Sequence, residues 1–331
     1  MKALIYTAPA TLEYREEAIP TPGTGEVLVR VQAVGICGSD MHAYHGHDER
    51  RPAPLVLGHE AAGRTASGPR TGRRVTVDPL VTCGKCGFCL DGRSHLCRSR
   101  QIISMPPRAG AFAEFVPIPE TNLVELPDSL PVQQAALAEP LAVGWHAVRN
   151  GSRALARPLA AARSVVLGGG AVGLACALAL HHFGAKEILV AEPNELRRSS
   201  IVRIGSFQAF APGDDAEPAG WSVDLVIDAV GSTATRAAAS RLIKPGGVII
   251  HIGLLSSTDG LDIRKLTLQE VTFLGSYCYT HLDFIETVAA MAAGHLGQLD
   301  WLEERPLSQG QQAFRDLDAG SVPAAKIVLR P

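Results

Sequence analysis

Ser164-Val165-Val166-Leu167-Gly168-Gly169-Gly170-Ala171-Val172-Gly173 is the stretch that decides the architecture. Four residues of buried-strand character run into a glycine-rich turn, and residues 170–183 continue as an Ala/Leu-rich helix. The turn fits G-x-G-x-x-G. Alone that pattern is weak. Here a strand precedes it, a helix follows it, and an acid, Glu192, closes the next strand, residues 187–192. Gly168 permits the tight turn, Gly170 lets the backbone approach a pyrophosphate, and Gly173 lets the helix pack on the strand. The free amides of the helix start, where Ala171 and Val172 lie, receive phosphate charge. A dinucleotide site is therefore expected. Glu192 is placed to accept hydrogen bonds from the adenosine ribose and to oppose a 2′-phosphate, so NAD is expected in preference to NADP. Arg197 and Arg198 follow within six residues and either soften that repulsion or face solvent from the next helix.

Outward from this turn, apolar strands alternate with helices. Strands are expected at 224–228, 247–252 and 271–277, and helices at 194–204 and 233–243. Such alternation means a parallel sheet covered on both faces. Val230 and the pair Gly253-Leu254 end two of the strands, where a doubly wound sheet takes its ligand. The chain before residue 140 reads differently. Strands at 27–31, 74–77 and 113–116 are punctuated by Pro and Gly, as in a compact, twisted β lobe, and residues 39–44 open one short helix. The tail returns a helix at 284–293 and a strand at 325–329. The expected division is a β-rich domain of residues 1–142 and 278–331, with an α/β domain of residues 143–277 inserted in it. Gly213 to Gly220 reads as a polar surface loop.

Cys83, Cys86, Cys89 and Cys97 follow C-x2-C-x2-C-x7-C. A Cys-dense run in a Cys-poor chain is most simply a tetrahedral thiolate site for a structural zinc. Two disulfides are the alternative, and nothing else in the chain suggests an oxidising compartment. A second metal site is suggested by Cys37 in Gly35-Ile36-Cys37-Gly38-Ser39-Asp40, by Gly58-His59-Glu60, and by Glu139 in Ala138-Glu139-Pro140-Leu141. A thiolate, an imidazole and carboxylates suit zinc with a coordination position left open. Spacing alone does not join residues so far apart. A lone Cys in a Gly-rich turn is usually a small buried residue, and a lone His-Glu pair is usually surface or hydrogen-bonded core.

Taken together and in order, these pieces resemble the zinc-containing medium-chain alcohol dehydrogenases, in particular the polyol branch with sorbitol and threonine dehydrogenases. The resemblance covers essentially the whole chain. It implies a GroES-like catalytic domain, a Rossmann coenzyme domain, two zincs per chain and NAD-dependent, reversible oxidation of a secondary alcohol to a ketone. Cys37 and His59 are implied as catalytic zinc ligands, with Glu60 a third ligand or just behind the metal. Glu139 stands where classical members have a second cysteine. Ser39 is implied to bond the alcohol oxygen and begin a proton relay that His42 continues. Ser39 reads alternatively as the N-cap of its short helix. Cys278 stands where some polyol dehydrogenases carry a substrate-binding arginine, which leaves Tyr279 and Arg108 as candidate substrate contacts. Amino alcohols, aminocyclitols and sugar phosphates are rival substrates on the same scaffold. An NAD-binding structural or sensing protein is the rival outside enzymes. The resemblance also implies a homo-oligomer, dimer or tetramer, with 271–277 a candidate interface edge.

The remaining composition narrows the partners. A net charge of −2 over 331 residues argues against a nucleic-acid footprint or a basic membrane patch. Lys85, Arg93, Arg98 and Arg100 surround the four cysteines without a basic domain or stacking aromatics around them. No apolar run reaches membrane-spanning length. Met1-Lys2-Ala3-Leu4-Ile5-Tyr6 enters a strand-like pattern directly, without the features of a secretory signal, so a cytoplasmic protein with reduced thiols is expected.

Overall fold

The computed structural model describes residues 1–255 and 257–331. The chain forms two compact units. One comprises Met1–Glu139, Thr280–Gly294 and Leu299–Pro331, and the other Pro140–Tyr279 and His295–Gln298.

The spine of the first unit is the strand Glu26–Gly35. It begins with the alternation of a half-buried strand and ends in the fully buried run Ala33-Val34-Gly35. It pairs antiparallel with Glu60–Thr65, with Phe115–Pro119 and, near its end, with Lys326–Arg330. Gly35 stands opposite both Glu60 and Val328. The Ile36 amide still donates to the Ile327 carbonyl at 2.9 Å, so the same register carried to Cys37 meets Lys326. Val29, Val31, Leu57, Phe112, Ile118, Phe314 and Leu329 pack into one apolar core beneath this sheet. The sheet thereby delivers Cys37, Glu60 and Lys326 to one end.

The second unit is a six-stranded parallel sheet. From edge to edge its strands are Gln208–Phe210, Glu187–Ala191, Arg163–Leu167, Val223–Asp228, Ile243–His251 and Thr272–Gly275. Numbered along this unit the order is 3-2-1-4-5-6, that of a doubly wound dinucleotide fold, with the switch point between Arg163–Leu167 and Val223–Asp228. Every residue of Val223–Asp228 is buried, as expected for a strand covered on both faces. The helix Ala171–His182 buries each residue from Gly173 to Leu180, which explains its lack of a polar stripe.

Several elements differ from the sequence reading. The 17-residue helix Ala138–Ala154 was hidden by Pro140, Gly144 and Gly151. Pro140 falls in its first turn, where a missing N–H costs nothing. The glycines serve packing. A Cβ at Gly144 would lie 2.6 Å from the Ala175 carbonyl carbon, and one at Gly151 would press on Leu225 and Ile250 at 3.2 Å. The strand expected at 113–116 is Phe115–Pro119, with Ala113 in an isolated bridge to Ala3. The strand expected at 271–277 shrinks to the four residues Thr272–Gly275. The strand Leu302–Pro306 and helix Gly310–Asp318 carried too few apolar residues to be read. Among the described residues, no helix is long and apolar enough to cross a membrane.

Candidate functional site

Cys37 follows the spine strand and takes the N-cap position of the helix Gly38–Tyr44. Glu60 begins the neighbouring strand, across from Gly35, and His59 immediately precedes it. Donor atoms of Cys37, His59 and Glu60 all lie within 4.8 Å of one another. Cys37 and the adjacent pair His59-Glu60, more than twenty residues apart in sequence, are thus brought to one point. His59 and Glu60 are buried, and Cys37 is half-buried.

Asp40 organises this point. Its buried carboxylate accepts from the Cys37 amide at 3.0 Å and the Gly58 amide at 3.3 Å, so it pins both donor-bearing turns. It also faces Nδ1 of His59 at 3.6 Å, and Ser104 Oγ lies 3.4 Å from the same nitrogen. Engaging Nδ1 in this way leaves Nε2 as the natural ligand atom, the usual arrangement of a carboxylate behind a metal-binding histidine. Burial opposes charge on Asp40, but the His59 imidazole and the Cys37 amide outweigh it and hold the carboxyl below its ordinary range. Burial likewise opposes protonation of His59, and Asp40 and Cys37 raise its pKa well above the usual value.

Glu60 is held from behind. Its Oε1 accepts from the buried Lys326 ammonium at 2.6 Å, and its Oε2 is buried with no protein partner. Lys326 also donates to the Ile36 carbonyl at 2.9 Å. Desolvation disfavours its charge, but the neighbouring Glu60 and Cys37 more than offset this and raise its pKa. An orphaned carboxylate oxygen beside a thiol and an imidazole is the donor set expected of a zinc site, so these residues fit such a cation.

The other candidates distribute unevenly. Ser39 is the second residue of its helix and not the cap, a position that Cys37 holds because Asp40 receives its amide. His42 lies in the last turn of that helix. Burial, together with His45, His47 and Arg51, lowers its pKa against the pull of Asp48, so the imidazole is neutral at neutral pH. Glu139 lies in the first turn of Ala138–Ala154, buried, outside the trio of converging donors, and helps hold the charge on Lys326. Arg108 is no free loop cation. It bonds Glu26 Oε1 and Gln101 Oε1, each at 2.7 Å, and ties two strands together. Tyr279 is a core residue, 1% exposed, and Cys278 beside it adopts a φ of +45°. Sequence reasoning did not single out Asp40, Ser104 or Lys326. Asp40 lay inside the quoted Gly35-to-Asp40 motif, whereas no local signal marks Lys326.

In the cysteine lobe, Cys86 caps the short helix Gly87–Leu90, and Cys97 follows the turn Ser94–Leu96. The Sγ atoms of Cys83 and Cys89 are 3.9 Å apart, and the Cys86–Cys89 and Cys97–Cys83 pairs 3.5 Å. The edge of a tetrahedron with Zn–S bonds near 2.3 Å is ~3.8 Å, so this cluster fits one zinc. All seven cysteines are free thiols, which sets the disulfide alternative aside. Amides of Lys85 and Cys86 lower the Cys83 thiol to about 6, a thiolate ready for metal at neutral pH.

In the second unit, Gly168 has a φ of +98°, which permits the turn. A Cβ on Gly173 would fall on the Gly168 carbonyl oxygen, so helix and turn close on each other there. A Cβ on Gly170 would meet nothing within 4 Å, leaving room over the amides of Ala171 and Val172 at the helix start. That open cradle fits a pyrophosphate. Glu192, only 4% exposed, accepts from the Gly169 and Asn194 amides at 2.9 Å and ties the end of its strand to the glycine turn. Arg198 turns back to the Glu192 and Pro193 carbonyls, while Arg197 bonds through its amide to the Asn194 cap. Val230 lies against Gly168, and its amide donates to Asp228. The Gly253 amide donates to the Asp228 carbonyl, and Leu254 is exposed.

The alcohol dehydrogenase GroES-like domain family matches residues 23–128, and the zinc-binding dehydrogenase family residues 171–293. A probable D-xylulose reductase A of Neosartorya fischeri is 31% identical over 316 residues, covering 89% of this chain and 87% of its own. The L-galactonate-5-dehydrogenase of Escherichia coli is 31% identical over 309 residues, with 89% and 88% covered. The sorbitol dehydrogenase of Bacillus subtilis is 32% identical over 290 residues, with 82% and 81% covered. Among solved structures, an E. coli alcohol dehydrogenase complexed with NADH has a TM-score of 0.89 at 25% identity, covering 100% of this chain and 99% of its own. A zinc-binding dehydrogenase of Sinorhizobium meliloti bound to NADP gives 0.87 at 28%, with 100% and 99% covered.

Proposed function

Because this chain belongs to the zinc-containing medium-chain alcohol dehydrogenases, on their polyol branch, we propose that it reversibly oxidises a secondary alcohol of a polyol or sugar-alcohol-like substrate to the ketone, with NAD as hydride acceptor. The carrying observation is the convergence of Cys37, His59 and Glu60 within 4.8 Å with one carboxylate oxygen unpartnered. When bound, zinc acidifies the alcohol and the nicotinamide accepts its hydride. Cys37, His59 and Glu60 would hold that catalytic zinc, with Glu139 an alternative carboxylate. The four-cysteine lobe would hold a second, structural zinc.

The chain's own residues supply positioning and proton traffic. Asp40 fixes the two donor turns and the His59 tautomer. Ser39 Oγ takes the substrate hydroxyl proton and hands it to His42, whose depressed pKa leaves it free to accept. The amides at Gly170, Ala171 and Val172 would hold the pyrophosphate, Glu192 the adenosine ribose, and Val230, Gly253 and Leu254 would line the coenzyme beyond. NAD preference is supported by the buried carboxylate of Glu192 and by Arg198, whose side chain is spent on backbone carbonyls. Self-association through the edge strand Thr272–Gly275 is supported by the exposed Phe273 at its centre. The seven free thiols suit a reducing compartment such as the cytoplasm.

The test joins metal analysis to absorbance at 340 nm with NAD and a panel of polyols, sugar acids, amino alcohols and sugar phosphates. Wild-type protein should carry two zincs and lose turnover on chelation. Cys37→Ser should carry one zinc, keep its fold and lose nearly all turnover. Two zincs in that variant would overturn the assignment.

A further inference from the structure

Arg236 lies in the first half of the helix Thr233–Leu242 and is 6% exposed. Its guanidinium bonds through all three nitrogens, yet every acceptor is a neutral oxygen. Nε donates to the Asp259 carbonyl at 2.6 Å and one terminal nitrogen to the Gly231 carbonyl at 2.7 Å. The other terminal nitrogen donates to the carbonyl and the hydroxyl of Ser257, each at 2.7 Å. Burying a cation without an opposite charge is a poor route to stability, because nothing repays its desolvation. The bonds instead make a joint. Gly231 belongs to the turn after the strand Val223–Asp228, and Ser257 and Asp259 to the loop after the strand Ile243–His251.

The turn is tied to its own strand. The Asp228 carboxylate accepts from the Val230 and Gly231 amides at 3.0 and 2.8 Å, and from the Thr235 hydroxyl at 3.0 Å. The loop is tied at its start, where the Gly253 amide donates to the Asp228 carbonyl at 3.1 Å. Further along, Arg236 holds it to the turn. Glycines let the backbones meet. A Cβ on Gly253 would lie 2.0 Å from the Val230 carbonyl carbon, and one on Gly260 would lie 2.2 Å from the Thr233 carbonyl oxygen.

We propose that Arg236 is a positioning residue for the nicotinamide half of the coenzyme, which holds Val230 and Gly253 in mutual register by bonding both segments that carry them. This rests on the reading that the second unit binds NAD. A doubly wound sheet is built of two mononucleotide halves. The glycine turn and Glu192 follow the first and second strands of this unit, so they belong to its first half. The strands that Arg236 joins are the fourth and fifth, so they belong to the other half. Loss of Arg236 therefore loosens one half of the ligand and spares the other.

The experiment is titration calorimetry of zinc-loaded full-length protein with NADH and with ADP-ribose, which keeps the adenosine and pyrophosphate but lacks the nicotinamide. Arg236→Met should weaken NADH roughly tenfold and ADP-ribose by less than about twofold. A merely structural role would not separate the two ligands. Arg236→Lys cannot span both segments with its single nitrogen, so it should show the same one-sided loss, roughly threefold. ADP-ribose weakened as much as NADH, or an unchanged NADH affinity, overturns the proposal. Should Arg236→Met not fold, either of those results in Arg236→Lys overturns it alone. Wild-type protein that binds neither ligand overturns the underlying coenzyme reading, and is seen before any variant is made.

Discussion

Gly35→Ala is the sharpest probe of the end of the sheet where Cys37, His59 and Glu60 converge. The added methyl would fall on Glu60 Oε2, with Glu60 Cδ at 3.1 Å and Lys326 Cδ at 3.2 Å. Ordinary contacts there are 3.4–4 Å, so something must move. The backbone at Gly35 is not in the left-handed region, so alanine adopts it freely, and the smaller unfolded-state entropy favours folding by about 0.4–1 kcal/mol. Against that stands overpacking of about 1–3 kcal/mol. Glu60 cannot swing away without stretching its bond to Lys326, and breaking a buried pair outright costs about 3–5 kcal/mol. Partial disruption gives a net loss of about 2–4 kcal/mol. For a unit of this size, that lowers Tm by roughly 5–12 °C. Gly38→Ala is the control, since a Cβ there meets nothing within 4 Å. Scanning calorimetry of both zinc-loaded variants, with metal analysis, is the assay. Gly35→Ala should melt early and carry less than its full zinc, and Gly38→Ala should melt like the parent. A Gly35→Ala protein within 1 °C of the parent and holding two zincs refutes the placement of Glu60.

Cys97→Ser replaces the fully buried thiol of the cysteine lobe, so the protein should lose one zinc and melt several degrees lower, and an unchanged melting temperature would count against a structural metal. Glu192→Ala removes the acceptor of the Gly169 and Asn194 amides, and should raise KM for NAD about tenfold while narrowing its advantage over NADP; unaltered coenzyme kinetics would exclude the ribose role. His281 Nδ1 donates to Asp78 Oδ2 at 2.8 Å, and that bond raises its pKa above the ordinary 6.5. Its stabilisation is complete below the ordinary value and fades as pH rises through the raised one. His281→Gln should therefore lower Tm more at pH 6 than at pH 9, by a modest amount because the side chain is 41% exposed, and the opposite ordering would contradict the pairing.

How much of this was legible depended on how local each signal was. The glycine turn, its strand and its helix lie within twenty residues, so period, turn chemistry and the acid at the next strand end could be read together. The four cysteines are equally local. The meeting of Cys37 with His59 is not, because it is made by the antiparallel register of two strands, and no residue type announces that register. Lys326 reads as an ordinary charge opening a terminal strand, and only its place opposite Cys37 makes it part of the site. Gly144 and Gly151 looked like helix breakers because their reason, close approach of Ala175, Leu225 and Ile250, lies in other segments. Arg108, read as a candidate substrate contact, is a similar case: its partner Glu26 is 82 residues distant, so its ion pair could not be read locally.

The bond between Lys326 and Ile36 spans 290 residues of chain, and it closes over an inserted parallel sheet. On a ribosome, the spine strand must wait for that closing strand through the whole synthesis of the intervening unit. The inserted unit, Pro140–Tyr279 and His295–Gln298, has its whole sequence before then and can fold ahead of that closure. On the proposed reading, metal loading at Cys37, His59 and Glu60 is accordingly a late event in the life of the nascent chain, and a cell short of zinc would accumulate molecules whose inserted unit is already finished.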